Sequence, residues 1–382
     1  MINYGKQSID KKDIQAVIDT LKSDWLTQGP KVEEFEQAIA DYCGSKYAVA
    51  VCNGTAALHL ANLVVGDNVT TNIITTPISF LATANSVIYA GGQPVFADIT
   101  EGYFTLNPDK IEELVNRGTG FKGIIPVHFG GVICDLEALS KIANKNNLWI
   151  IEDACHALGG KWIDNNGKTQ KVGNCSHSDM TIFSFHPVKQ ITTGEGGAIT
   201  TNDRDTYNSL LMLRTHGITK NPSLLKENHG HWYYEMHELG YNYRITDIQA
   251  ALGIEQLKKN DEWVRRRREI VSIYDEAFKN INQVSPQNHP DKNGNYSYHL
   301  YIIKCQKRTE LYNYLKENGV NTQVHYFPIH LQPYYIEKYG YGQGDYPVAE
   351  KYYEHALSLP LYPALKDNEH KKVISLVRKF YA

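Results

Sequence analysis

Six cysteines in 382 residues, at positions 43, 52, 134, 155, 175 and 305, are too few and too scattered for the disulfide framework of a small secreted domain. No two of them form a C-x-x-C pair. Cys155, His156, Cys175 and His177 come nearest to a zinc set, but adjacent residues on an extended strand point to opposite faces. Buried thiols and surface imidazoles are expected there, and no metal. No stretch of 18 apolar residues occurs, so no membrane-spanning helix is expected. Met1-Ile2-Asn3-Tyr4-Gly5-Lys6 lacks the apolar core of a secretory signal. With reduced thiols, this makes a cytoplasmic location the expectation. Charge of one sign is scarce as well: 39 Lys and Arg against 42 Asp and Glu leave −3. The one basic run, Arg265-Arg266-Arg267-Arg268, lies on a predicted long helix, where a solvated or inter-subunit face is expected rather than a nucleic-acid site. No Walker A loop is present, which removes one common nucleotide fingerprint.

What is present is an alternation of elements. The length favours two domains, divided here into residues 1–250 and 251–382. Strand-like runs at 47–51, 72–76, 94–99, 123–129, 148–153, 180–185 and 198–201 alternate with helical patterns such as 108–115 and 136–143. This predicts an α/β fold, a mostly parallel sheet with helices on both faces. Ile14, Val17, Ile18 and Leu21 recur at helical spacing, predicting an amphipathic first helix packed across the sheet. A long charged helix is expected over 247–278, interrupted at Asn260-Asp261. Beyond it, strands at 298–305 and 323–326 and helices at 309–317, 348–357 and 369–380 predict a smaller α/β domain. Residues 286–295 are polar with Pro and Gly and predict an exposed loop.

Three segments carry chemistry. Lys189 follows Phe183-Ser184-Phe185-His186-Pro187-Val188 and precedes Thr192-Thr193-Gly194-Glu195-Gly196-Gly197. A buried strand thus ends at the lysine, and a Gly-rich reversal leads into the next. Partial desolvation at such a strand exit favours the neutral, nucleophilic amine that a Schiff-base lysine needs. A lone lysine there reads sooner as a solvated turn residue. In Leu148-Trp149-Ile150-Ile151-Glu152-Asp153-Ala154-Cys155-His156-Ala157, four apolar residues run into two acids. Asp153 then sits at the C-terminal end of a buried strand, the edge where open α/β sheets bind ligands. A carboxylate there suits the ring nitrogen of pyridoxal phosphate (PLP), with His156 near the ring's phenolic oxygen. Taken alone, Asp153 is as well explained as a helix cap. Val49-Ala50-Val51-Cys52-Asn53-Gly54-Thr55-Ala56-Ala57-Leu58 turns from a strand into a helix whose first-turn N–H groups and Thr55 hydroxyl form an anion site. Together the three supply anion, ring-nitrogen and aldehyde contacts for one cofactor, PLP.

A family resemblance runs nearly end to end. Its motifs are Trp25-Leu26-Thr27-Gln28-Gly29-Pro30, Asn53-Gly54-Thr55-Ala56-Ala57-Leu58, Glu152-Asp153-Ala154, and Phe183-Ser184-Phe185-His186 with Lys189. Gly240-Tyr241-Asn242-Tyr243-Arg244, Thr246-Asp247-Ile248-Gln249 and Leu357-Ser358-Leu359-Pro360 extend it. The chain resembles sugar aminotransferases of the DegT/DnrJ/EryC1/StrS family, PLP enzymes of fold type I. Thr75-Thr76-Pro77-Ile78-Ser79-Phe80-Leu81-Ala82-Thr83-Ala84-Asn85, the 192–197 segment and Gln323-Val324-His325-Tyr326 are most similar to the branch serving pseudaminic acid biosynthesis.

The resemblance implies Lys189 and Asp153 as catalytic residues. It implies Phe80 stacked on the cofactor ring, and Thr55, Ala56 and Ser184 at the phosphate. It places Thr27, His325 and Tyr326 on the substrate side. Asn242 would reach the phosphate from the neighbouring subunit, which implies a homodimer with shared active sites. Read alone, Phe80 suits a core position better than a stacking one, and Asn242 also suits a turn beside Gly240. The implied reaction moves an amino group from L-glutamate to C4 of a UDP-linked 2-acetamido-2,6-dideoxy-4-hexulose of L-arabino configuration. The alternatives are enzymes making 4-amino-arabinose, perosamine or a 3-amino sugar. A sugar dehydratase on the same fold is a further one, but family dehydratases replace the lysine, typically with histidine. A cofactor-free module would be expected to lose Asp153 or Lys189. His156 stands where many relatives carry glutamine, and Pro187 and Gln190 flank the lysine where members vary. Tyr and His side chains of 233–237 and 325–330 are expected to line the acceptor pocket.

Overall fold

The computed structural model describes residues 1–66, 71–118, 120–289 and 295–382. Its main sheet contains β1 (Tyr47–Val51), β2 (Asn72–Thr75), β3 (Gln93–Phe96), β4 (Phe121–Ile125), β5 (Trp149–Asp153), β6 (Met180–Ser184) and β7 (Gly197–Thr201). They lie in the order β1-β7-β6-β5-β4-β2-β3. From β3 to β6 the pairing is parallel. β7 runs antiparallel to both β6 and β1. A short reversal through 192–197 can return only antiparallel, whereas a parallel step needs a longer crossover connection. The seven strands predicted for this sheet recur within a few residues of their expected ends.

Successive strand residues enter opposite cores, as the period of two requires. Ala48, Ala50, Ile74, Ile124, Ile150, Phe183 and Ala198 join one cluster, covered by α2 (Pro30–Cys43), α5 (Pro108–Arg117), α6 (Leu136–Asn146) and α8 (Asp247–Leu257). Val49, Val51, Ile73, Ile125, Ile151, Ile182 and Ile199 join the other, covered by α3 (Gly54–Val65) and α7 (Arg204–Arg214). Both faces are therefore buried, which is why these strands read as apolar runs.

The first helix departs from expectation. α1 (Lys11–Leu21) forms behind a capping box of Asp10 and Asp13, but it packs on α8 and not across the sheet. Its buried residues are Asp13 and Thr20, while Ile14 and Leu21 remain 52% and 54% exposed. Lys259 holds it by ion pairs to Asp10 and Asp13 at 2.8 and 2.7 Å.

A second core lies after α8. α9 (Asn260–Phe278) begins where the interruption was expected, and packs with α10 (Arg308–Glu317), α13 (Asp367–Tyr381) and a three-stranded antiparallel sheet. Those strands are β8 (Val284–Pro286), β9 (Tyr301–Cys305) and β10 (Ala356–Leu359). Ile2 is inserted into this core, bonded to Gly319 and Asn321 at 2.8 Å each. Three expectations are corrected here. Residues 323–326 form no strand, only a bridge from Gln323 to Ser358. The 348–357 helix ends at His355, and its last residues belong to β10. Pro286 closes β8 rather than opening a loop, and residues 290–294 lie outside the described residues. The arginine run is also spoken for within the chain. Arg265 pairs with Glu269 and Arg266 with Asp367, Arg267 is buried against carbonyls, and Arg268 bonds Tyr296 O. Among the described residues no helix is long and apolar enough to cross a membrane. Among the same residues, no group of three or more His, Cys, Asp or Glu is placed to hold a metal ion.

Candidate active site

A cavity of about 680 Å³ opens at the C-terminal edge of β1, β5 and β6. Its floor begins with the turn out of β1. Asn53 caps α3, its Oδ1 accepting from Ala56 N–H at 2.8 Å. The Gly54 and Thr55 N–H groups precede the first intrahelical bonds and remain for a ligand. Ser184, at the end of β6, stands beside them. A Cβ on Gly54 would lie 3.0 Å from the Ser184 Cβ, and one on Gly197 would lie 2.6 Å from the Asn53 carbonyl carbon. The glycines thus bring the helix start, the Ser184 hydroxyl and β7 into a tight cradle that suits a phosphate group. Ala56 does not line the cavity. Its N–H is occupied by Asn53, and its methyl is buried in the core behind.

Asp153 enters from the end of β5 and caps no helix, since turns follow it. It is 5% exposed. Oδ2 accepts from the Thr83 hydroxyl at 2.6 Å and Oδ1 from Cys155 N–H at 3.2 Å. Both are donors, so the pocket is built for a carboxylate and leaves the rest of Asp153 facing the cavity. Its neighbour Glu152 points to the opposite face, where it bonds His128 at 2.7 Å, Thr181 at 3.0 Å and Ser178. Burial pushes the Glu152 carboxyl up, but these bonds outweigh it and hold the group below the usual carboxylate range. The two adjacent acids therefore divide into a structural and a cavity-facing one.

Lys189 follows a turn fixed by its own N–H on His186 O at 2.9 Å. The residue as a whole is half-buried, but its amine is enclosed by the cavity walls. Burial draws its pKa below the usual lysine value, opposed by Cys155 and Asp153. His156 is held as a neutral imidazole. Its Nδ1 accepts from Gly130 N–H at 3.3 Å, which leaves the proton on Nε2. Burial, with Lys189 and His325 nearby, sets its pKa well below the ordinary value. His325 bonds Ser358 at 2.8 Å and is pushed down to about 3 by burial and by Lys189. Phe80 is no core residue: it is 59% exposed at the cavity rim, its ring 6.1 Å from that of Tyr326.

Thr55, Phe80, Asp153, His156, Ser184, Lys189, His325 and Tyr326 thus converge. Thr27 and Asn242 do not. Both are exposed; Thr27 bridges Thr246, and Asn242 bridges Thr215. Of the 325–330 segment, His330 is buried on Glu350 at 3.0 Å, away from the cavity. Residues 233–237 form an outer arm, with Glu235–Met236 paired to Ile218–Thr219 and His237 bonded to Glu235. Thr83, Cys155 and His299 line the cavity without having been singled out. Thr83 was legible as the residue three beyond Phe80 on one helix face. Nothing in the sequence marked His299.

Over residues 7–378 the chain matches the DegT/DnrJ/EryC1/StrS aminotransferase family, and it belongs to that family. It is an aminotransferase, with the fold type I architecture of its relatives. The UDP-4-amino-4,6-dideoxy-N-acetyl-beta-L-altrosamine transaminase of Campylobacter jejuni strain 81-176 is 39% identical over 395 residues, covering 100% of both chains. The spore coat polysaccharide biosynthesis protein SpsC of Bacillus subtilis is 40% identical over 383 residues, covering 98% of this chain and 96% of its own. Among solved structures, Helicobacter pylori PseC, an aminotransferase involved in the biosynthesis of pseudoaminic acid, has a TM-score of 0.91 at 32% identity, covering 100% of this chain and 99% of its own. Spr1654 of Streptococcus pneumoniae, described as a sugar aminotransferase and solved in a PMP form, has a TM-score of 0.91 at 30% identity over 99% of this chain and 98% of its own.

Proposed function

We propose that the chain is a PLP-dependent nucleotide-sugar aminotransferase. It would move the amino group of L-glutamate to C4 of UDP-2-acetamido-2,6-dideoxy-β-L-arabino-hexos-4-ulose, giving UDP-4-amino-4,6-dideoxy-N-acetyl-β-L-altrosamine, in the cytoplasm. The observation that carries the cofactor is the convergence of Lys189, Asp153 and the α3 N-terminus on one cavity. The donor set fits PLP group by group. The α3 N–H groups with the Thr55 and Ser184 hydroxyls would hold the phosphate, and Asp153 would face the ring nitrogen. Phe80 would flank the ring, and the His156 Nε2–H would meet the ring oxygen. When bound, PLP supplies an electron sink for the charge left as a proton leaves the amino donor. Thr83 and Cys155 keep Asp153 oriented for that task. Lys189 Nζ is placed to hold the aldehyde end and, when free, to take the donor's α-proton and return it.

Support for the acceptor comes from segments 75–85, 192–197 and 323–326 and from the likeness to the Campylobacter and Helicobacter enzymes. Gln323, His325 and Tyr326 line the mouth and offer polar groups to sugar hydroxyls. Discrimination between epimers then depends on whether those bonds form. With glutamate as donor and the two C5-epimeric 4-keto sugars in competition, the L-arabino epimer should be consumed first and aminated at C4. Preference for the D-xylo epimer, or amination at C3, in the product's NMR spectrum overturns the assignment.

The same reading includes a homodimer with shared sites. Lys189 is the only lysine or arginine among the residues lining the cavity, so a diphosphate and a dicarboxylate need cations from elsewhere. Asn242 is exposed, and the arm preceding it shows Trp232, Met236 and Leu239 to solvent at 76%, 62% and 76%. An exposed apolar cluster of this kind suits contact with a second chain. Mixing Lys189→Ala with Asn242→Ala chains should restore activity at limiting cofactor, because one site in each mixed dimer regains both residues. Wild-type protein that sediments as a fully active monomer would contradict it.

A further inference from the structure

We infer that Gln190 and Ser297 are positioning residues that fix Lys189 and His156 relative to each other. This rests on the reading of Lys189 as the residue that captures the cofactor's aldehyde. Gln190 follows the lysine directly and is buried. Its Nε2 donates to the His156 carbonyl at 2.5 Å and to Ser297 Oγ at 3.2 Å. The Ser297 hydroxyl, fully buried, donates to the same carbonyl at 3.0 Å. Three separate stretches of chain are thereby closed into one triangle: the lysine loop, the turn after β5, and a segment leading into the second core.

That last segment is itself held in place. Arg267 on α9 is buried and has no carboxylate partner among the described residues; its guanidinium donates to the carbonyls of Tyr298, His299 and Leu361 at 3.3, 3.4 and 2.9 Å. Two residues beyond Ser297, the His299 ring packs on the His156 ring with centroids 4.3 Å apart. His156 is thus gripped at its carbonyl by Gln190 and Ser297 and at its ring by His299. The Lys189 amine makes no hydrogen bond or ion pair among the described residues, so its position is set by the chain on either side. On one side that is the turn closed at His186 O, and on the other it is the Gln190 side chain. Buried hydrogen bonds of this kind act as a unit, and removing one partner leaves the others unsatisfied.

The groups facing the amine are Asp153 and Cys155 at the end of β5, His156 beyond them, and His299 and His325 from the second-core side. The substitutions below remove none of these side chains, so a change at Lys189 reports its solvation and its position relative to them. Loosening the triangle admits water to the amine and returns it toward ordinary lysine behaviour, leaving less of it neutral near pH 7.

The test uses the full chain freed of cofactor, with PLP itself as the probe. The rate of capture is followed by absorbance across pH, and borohydride reduction with peptide mapping locates the modified residue. Gln190→Leu and Ser297→Ala should both shift the midpoint of capture upward, by about one pH unit, which corresponds to roughly tenfold less neutral amine below the midpoint. Ser297→Thr, which keeps the hydroxyl, should behave as wild type. If Gln190→Leu does not fold, Ser297→Ala decides alone. Folded variants with a lower melting temperature but an unmoved midpoint would show a merely structural role and overturn the inference. Wild-type chain modified elsewhere than Lys189 overturns the underlying assignment and this inference with it, whereas labelling at Lys189 with unmoved variants overturns this inference only.

Discussion

Replacing Lys189 with alanine should lower the rate of amino transfer by about four orders of magnitude, ~5.5 kcal/mol at the transition state. It is the only primary amine among the residues lining the cavity, and burial holds its pKa below the usual lysine value. A larger neutral fraction near pH 7 follows, and the neutral form is the one that bonds an aldehyde or accepts a proton. The phosphate cradle at Asn53-Gly54-Thr55 and the Asp153 pocket do not involve the lysine side chain. Cofactor binding should therefore survive in weakened form while turnover fails. Single-turnover measurements with the amine-loaded protein separate the two effects. In the wild type, a visible absorbance band should become fixed to Lys189 on borohydride reduction, and in the variant no residue should be labelled. Turnover within tenfold of wild type would assign the proton transfer to another group and remove Lys189 from its role.

The parts of the site that lie where a strand ends were legible before the fold was known. Asp153, Ser184 and the Asn53 turn each sit where an apolar run stops, and sheet geometry places all such ends on one edge. The period of two also separated the strand residues into two cores. What stayed hidden depends on tertiary choice. α1 carries an apolar stripe, but it packs on α8, where Lys259 meets Asp10 and Asp13, residues some 246 or more apart from it in sequence. Residues 323–326 look extended, but the only backbone bridge they make among the described residues is from Gln323 to Ser358, and His325 and Tyr326 turn toward the cavity. Arg267 belongs to a run of four arginines that reads as a solvated face, and only the three carbonyls gathered around it explain its burial. Thr27 was assigned by resemblance to the substrate side, and Asn242 to the site of a neighbouring subunit. In the single chain they stand on the surface, apart from the cavity.

Changing Asp153 to asparagine should cost roughly two orders of magnitude or more in rate, about 2.7 kcal/mol, with a much smaller loss of bound cofactor. The argument starts from the donors around the carboxylate. Cys155 N–H donates to Oδ1, and the Thr83 hydroxyl donates to Oδ2. The asparagine oxygen can take over one of these bonds, but its NH2 must then face the other donor. A backbone N–H cannot reverse its role, so the amide oxygen is held toward Cys155 and the NH2 toward Thr83, whose hydroxyl can rotate to accept. The variant therefore keeps its fold and its place in the cavity. What it would lose is the negative charge proposed to stand beside the ring nitrogen, and with it the protonated state that would make the ring an electron sink. The phosphate contacts proposed for α3, Thr55 and Ser184 would be untouched, which is why content should hold while rate falls. The spectrum adds an independent readout, since the band of the bound cofactor should shift as its ring nitrogen loses the proton. Thr83→Val should act in the same direction but more weakly, because it removes one donor and leaves the charge. Normal turnover and an unshifted band in Asp153→Asn would mean that a different residue faces the ring nitrogen.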